Sequence, residues 1–321
     1  MSDLDLHPSP HLCGGRDDVS AQPVRELLAP REANLGGSTV VRRLLPNLGR
    51  RMVGAWAFVD HYGPDDIADG SGMQVPPHPH MGLQTVSWLH DGEVQHRDSL
   101  GSLQTLRPRE LGLMTSGRAI AHSEQSPVPH ARLLHGAQLW VALPDAHRHT
   151  SPAFEHHATL PLVTAPGLTA TVILGELDGA ASPGTTYSPL VGADLALASG
   201  SDVRLPVNPD FEYAVLTMSG ATDVDGVRLD PGSMLYLGCG RTELPLRALS
   251  DSGLLLLGGE PFDEKIVMWW NFIGRSHDDI AQARADWMTG SRFGAVTGYD
   301  GAPLPAPELP PVALKPRGRV R

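Results

Sequence analysis

Two short stretches of this chain carry the residue types that hold metal ions: His78-Pro-His80 and, further along, His122-Ser-Glu124. On a β-strand side chains alternate with period two, so residues i and i+2 share a face and can donate to one ion. Pro79 removes a backbone donor and stiffens the first stretch, which places it at a sheet edge or a strand start. Three imidazoles and one carboxylate form a donor set with a single negative charge. Such a set suits divalent Fe, Mn, Ni, Cu, Co or Zn and leaves positions open on a six-coordinate ion. With only Cys13 and Cys239 in the chain there is no CxxC zinc site and no disulfide framework. Metal chemistry therefore falls to histidine and carboxylate. The other histidines read differently. His147, His149, His156 and His157 read as a solvated linker, and His61 as either a neighbour of the site or a buried structural histidine. Cys239 reads as a buried small residue.

The elements that must position these residues are strands. The chain has 321 residues with 35 Gly and 29 Pro, which excludes a helix bundle, and its 41% hydrophobic content excludes disorder. A net charge of −11 argues against direct nucleic-acid binding. The N-terminus lacks a basic start followed by an apolar run, and no stretch approaches 18 apolar residues, so a cytoplasmic protein without membrane association is expected, as a monomer. Short β-type runs with Gly and Pro punctuation fill both halves. Thr85-Val-Ser-Trp-Leu-His-Asp-Gly92 is echoed by Tyr213-Ala-Val-Leu-Thr-Met-Ser-Gly220, and Leu106–Met114 by Leu229–Leu237, in the same order. A duplicated small β-barrel is the economical explanation.

The expected layout is a flexible arm (1–25), a metal-binding barrel (26–145), a linker (146–160) and a second barrel (161–260). A return strand and helix (261–295) and a Pro-rich basic tail (296–321) follow. The helix is expected from Ile280, capped by Asp278 or Asp279 and stopped by Gly290, with Ile280, Ala283 and Trp287 on its apolar face.

His78-x-His80-x3-Gln84 followed by Gly92 resembles the cupin motif. Within that superfamily, His-Pro-His-x-Gly-x-x-Thr-Val, His96-Arg-Asp-Ser-Leu-Gly101 and Met114-Thr-x-Gly-x-x-Ile-x-His-Ser-Glu124 resemble pirin proteins. Arg43-Leu-Leu-Pro46, Val59-Asp-His-Tyr-Gly-Pro64, Leu256-Leu-Gly-Gly-Glu-Pro261 and Ile266–Trp270 extend the resemblance, which covers roughly Leu35 to Trp287. It implies an all-β fold of two tandem cupin barrels, a bicupin, with the C-terminal helix packing back. It also implies that His78, His80, His122 and Glu124 occupy the family's iron-ligand positions, with Fe(II) foremost among the possible ions. The family's activity is cleavage of a flavonol such as quercetin with O2, for which Glu124 is the candidate catalytic proton acceptor. Other pirins are iron-dependent regulators of transcription factors or enzymes, so a protein partner is the alternative. Many pirins read His-x-His-Arg-Gly-Phe-Glu, whereas this chain has Met81, Leu83 and Gln84, which makes its pocket less charged. Aligning Gly92 with Gly220 sets Pro206 and Asn208 opposite His78 and His80, so the second barrel is expected to hold no metal.

Overall fold

The computed structural model describes residues 11–13, 23–35 and 39–319. Most of the expected arm lies outside the described residues. In the first half a seven-stranded sheet runs Ala153–His157, Leu111–Thr115, Leu83–Asp91, Leu133–Ala142, Trp56–Asp66, Thr39–Leu45, Arg31–Leu35. A four-stranded sheet runs Gln74–His80, Ile120–Gln125, Val94–Asp98, Leu103–Leu106. The second half repeats the plan, its four-stranded sheet running Asp202–Pro206, Glu243–Ala248, Thr222–Val224, Val227–Leu229. Both small sheets follow the chain order first, fourth, second, third, which is a jelly-roll connection. The echoed sequences are equivalent strand pairs. Leu83–Asp91 pairs with Leu111–Thr115, and Glu212–Ser219 pairs with Met234–Gly238.

The two interiors are filled differently. The second barrel encloses Val172, Leu195, Val203, Leu205, Val215, Leu244, Leu246 and other aliphatic residues from both of its sheets. In the first barrel, an apolar cluster of Val41, Tyr62, Val75, Leu89, Val94 and Leu134 coexists with buried His78, His80, His96, Asp98, His122 and Glu124. A third cluster joins the barrels through Trp56, Trp88, Leu111, Leu113, Leu255 and Leu257. The Trp56 indole N–H points at the carbonyls of Val191 and Gly258, 3.1 and 3.2 Å away. A side chain at Gly192 would stand 2.8 Å from the Trp56 ring, so glycine there lets the barrels close.

Several expectations are corrected. The stretch expected as linker contains Ala153–His157, a strand that pairs with Leu111–Thr115 and completes the first barrel. Its histidines meet carboxylates, His156 Nε2 lying 2.9 Å from Glu110 and His157 Nε2 3.2 Å from Glu155. Conversely, Glu26–Leu28 pairs with Met234–Gly238 and so extends the second barrel. The helix runs His277–Thr289 and is capped by Ser276, not Asp278; Asp279 closes a reciprocal capping box, and Gly290 ends it. Ile280 and Ala283 bury its inner face against the return hairpin of Ile266–Trp269 and Phe272–Gly274.

The Pro-rich tail is packed, not solvated. Ala306 and Leu314 are buried with the helix, and Leu304 N–H donates to the Pro77 carbonyl. Arg319 ends in a buried pair with Glu212 at 2.9 Å, and Glu212 also accepts from Tyr236 Oη at 2.7 Å. Composition showed the charge of Arg319 but not the buried carboxylate that matches it. Removing one partner of a buried pair leaves an uncompensated charge. Arg319→Met is therefore expected to lower unfolding stability by about 3–5 kcal/mol in urea titrations. An unchanged midpoint would contradict the reading of the tail as a packed strap.

Candidate metal centre

The centre is built on the four-stranded sheet of the first barrel. His78 and His80 leave the strand Gln74–His80 on one face, and His122 and Glu124 leave Ile120–Gln125 beside them. His80 lies opposite Ile120 and His78 opposite His122, but Glu124 lies opposite Val75. One residue more is therefore used on the first strand, at Pro76-Pro77, where proline offers no ladder donor and a bulge is tolerated. On the other side His122 pairs with Asp98 and Glu124 with His96, with no shift. The turn after His80 needs Gly82, whose φ is 76°; a side chain there would meet the Ile273 carbonyl of the return hairpin.

All three imidazoles are fully buried, and the Nε2 atom of each has no hydrogen-bond partner among the described residues. Their ring centroids are 4.3–5.0 Å apart. The other nitrogen of each ring is held. His78 Nδ1 lies 2.8 Å from the Pro76 carbonyl, and His80 Nδ1 lies 3.2 Å from the Asn271 carbonyl. A carbonyl only accepts, so each Nδ1 carries the proton and each Nε2 keeps its lone pair. His122 Nδ1 faces His96 Nδ1 at 3.4 Å. Glu124 Oε1 lies 3.0 Å from Ser87 Oγ, which also lies 3.0 Å from Gln138 Oε1. The ionised carboxylate is the stronger acceptor of that hydroxyl proton.

The donors fall into two groups that share His122: His78, His80 and His122, and then His96, His122 and Glu124, with donor atoms within 4.8 Å in each group. Three unpartnered nitrogen lone pairs beside a carboxylate fit a first-row divalent ion. Burial drives the His78 pKa down from 6.5 to about 3. Burial, then repulsion from His78, pushes His80 and His122 well below the ordinary value. Neutral imidazole is the form that binds metal.

His96 and Asp98 were not among the sequence-based candidates. Their signal was present, since His96-x-Asp98 is a third i, i+2 pair with the alternation that singled out the other two. Burial pushes the Asp98 carboxyl up, but its bonds to His96 and to the Ser102 amide outweigh this and hold it below the ordinary range. Gln84 is not part of the centre. Its amide donates to Thr115 Oγ1 and to the Thr185 carbonyl of the second half, at 2.9 and 3.0 Å. His61 lies 3.1 Å from His135, Nε2 to Nε2, and its Nδ1 accepts from Arg42. Open cavities of about 600, 530 and 630 Å³ lie elsewhere, around Tyr213, His90 and Ile67. Convergent donors, not open volume, identify the chemical site. Among the described residues such groups of donors occur in the first barrel.

Residues 38–141 match the Pirin family and residues 192–294 match the Pirin C-terminal cupin domain. A Pseudomonas aeruginosa protein with the provisional name quercetin 2,3-dioxygenase is 46% identical over 281 residues, 87% of this chain and 89% of that protein. The chain belongs to the pirin family. A pirin-like protein of Caulobacter vibrioides is 40% identical over 261 residues, 79% of this chain and 90% of that one. The crystal structure of a quercetin 2,3-dioxygenase from Acinetobacter baumannii shares 42% identity and a TM-score of 0.87, covering 91% of this chain and 98% of that one. As a pirin the chain is a bicupin, with donor groups in its first cupin barrel and an aliphatic core in its second.

Buried neutral histidines make this pirin acid-sensitive. The unfolded chain binds protons below about pH 6.5, whereas His78 and His61 resist until about 3 and His135 until about 4. The unfolded state then holds more protons, so stability falls as pH drops from 6.5 towards 4. Each such histidine contributes about 1.4 kcal/mol of loss per pH unit. Urea midpoints of metal-free protein at pH 7, 6 and 5 are expected to fall steeply; flat midpoints would contradict the burial of neutral imidazoles.

Proposed function

We propose that this pirin is a metal-dependent dioxygenase, with Fe(II) as its ion, that cleaves a flavonol such as quercetin with O2. The observation that carries the reading is the set of three buried, unpartnered Nε2 atoms beside Glu124. The names of the relatives, quercetin 2,3-dioxygenase, supply the substrate class. His78, His80, His122 and Glu124 would hold the ion, which when bound supplies the Lewis acidity that favours a deprotonated substrate hydroxyl.

The remaining chemistry belongs to the chain. Glu124 accepts the hydroxyl proton, and Ser87 holds the carboxylate in place through Oε1. Trp140 stands edge-on to His80 at 5.2 Å and stacks on Phe58 at 4.1 Å. Arg43 lies 4.5 Å above Phe58 and is fixed by a two-pronged pair to Asp60 at 2.9 Å, so the packing behind His80 is held in place. The deprotonated flavonol is electron-rich and reacts with O2; the central ring opens to an ester, and carbon monoxide leaves with the excised ring carbon. Both oxygen atoms of O2 end in the products, so no further reductant is needed.

The test is the visible absorbance of quercetin under oxygen with iron-replete protein. Bleaching with release of carbon monoxide is expected, and Glu124→Gln and His122→Ala should each lower turnover by at least about 100-fold. Unchanged absorbance with the metal-replete wild type would sink the flavonol reading.

A further inference from the structure

His78 and His80 are fixed by backbone carbonyls, whereas His122 is fixed by side chains. His122 Nδ1 lies 3.4 Å from His96 Nδ1, and His96 Nε2 lies 3.2 Å from Asp98 Oδ2. The His96 ring lies flat on Phe154, with centroids 4.0 Å apart and planes 7° apart. Asp98 Oδ1 accepts from the amides of Leu100 and Ser102 at 2.9 and 3.0 Å, which locks the carboxylate. His96, Asp98 and His122 are all buried.

This chain of contacts has one direction. A carboxylate only accepts, so His96 carries its proton on Nε2. Its Nδ1 is then a lone pair and accepts from His122 Nδ1–H. His122 is left with a lone pair on Nε2, the atom that faces His78 and His80. We propose that Asp98 and His96 are positioning residues that set the tautomer and donor strength of His122. His122 is thereby the ligand of the three whose hold on the metal is governed by a side-chain charge. The inference rests on the metal reading above. Outer partners of ligand histidines raise ligand basicity, and their loss typically weakens metal binding about 10–100-fold.

Asp98→Asn keeps an oxygen for the two loop amides but can present an NH2 to His96. His96 Nε2 must then accept, its Nδ1–H opposes His122 Nδ1–H, and His122 is driven to place its proton on the metal-facing nitrogen. His96→Phe keeps the stack on Phe154 and removes the relay altogether. Metal-free wild type and variants are titrated with cobalt(II), reading the visible bands and the dissociation constant, with folding checked by circular dichroism melts. Each single variant is expected to bind cobalt about 10–100-fold more weakly with shifted bands. The double variant should bind no more weakly than His96→Phe, because the carboxylate acts only through the imidazole. Wild-type affinity and bands in either single variant, or losses that add in the double variant, would overturn the relay while leaving the metal reading intact. Failure of the wild type to take up cobalt would overturn the metal reading and the relay together.

Discussion

Three imidazole nitrogens are buried side by side with no partner among the described residues, and the rest of the molecule is arranged around that. An unsatisfied buried polar atom costs about 1–3 kcal/mol, and three at one point would be selected against without compensation. A shared ion would recover the loss by replacing three missing partners at once. The arrangement holds only while each proton stays on Nδ1. Three separate parts of the chain keep it there: the Pro76 carbonyl at the bulge, the Asn271 carbonyl on the return hairpin, and His96 on the neighbouring strand.

The second barrel supports this centre without sharing its chemistry. Its aliphatic interior provides an ordinary hydrophobic core, while the first barrel gives up part of its own to polar groups. The inter-barrel cluster anchors Trp56 and Trp88, the latter through its indole N–H to Asp194 at 3.2 Å. Past the second barrel the chain returns to place Asn271 behind His80 and Ile273 against Gly82. The tail then runs back between the halves to Arg319 and Glu212.

Much of this was legible from residue order. Period-two spacing exposed His78, His80, His122 and Glu124, and the paired echoes exposed the duplicated barrel. What escaped notice depends on contacts between distant residues. Ala153–His157 looked like a linker because an edge strand with charged and histidine side chains has no apolar alternation; its partner lies far away in sequence, at Leu111–Thr115. The partner of Arg319 was not legible in the basic tail because its carboxylate lies 107 positions earlier. The cap was expected at Asp278 or Asp279, past Ser276, because both offer the same capping chemistry and only backbone angles distinguish them. His96-x-Asp98 obeyed the rule that singled out the candidate donors but carried no second signal to separate it from a surface pair.

The proposed chemistry turns on metal ligation by the orphaned nitrogens. Its most direct test is a crystal structure of iron-loaded protein with anomalous data collected at the iron edge. One strong peak is expected inside the first barrel, about 2.0–2.2 Å from the Nε2 atoms of His78, His80 and His122. No peak there, or a peak only at His61, His90 and His135, would contradict it.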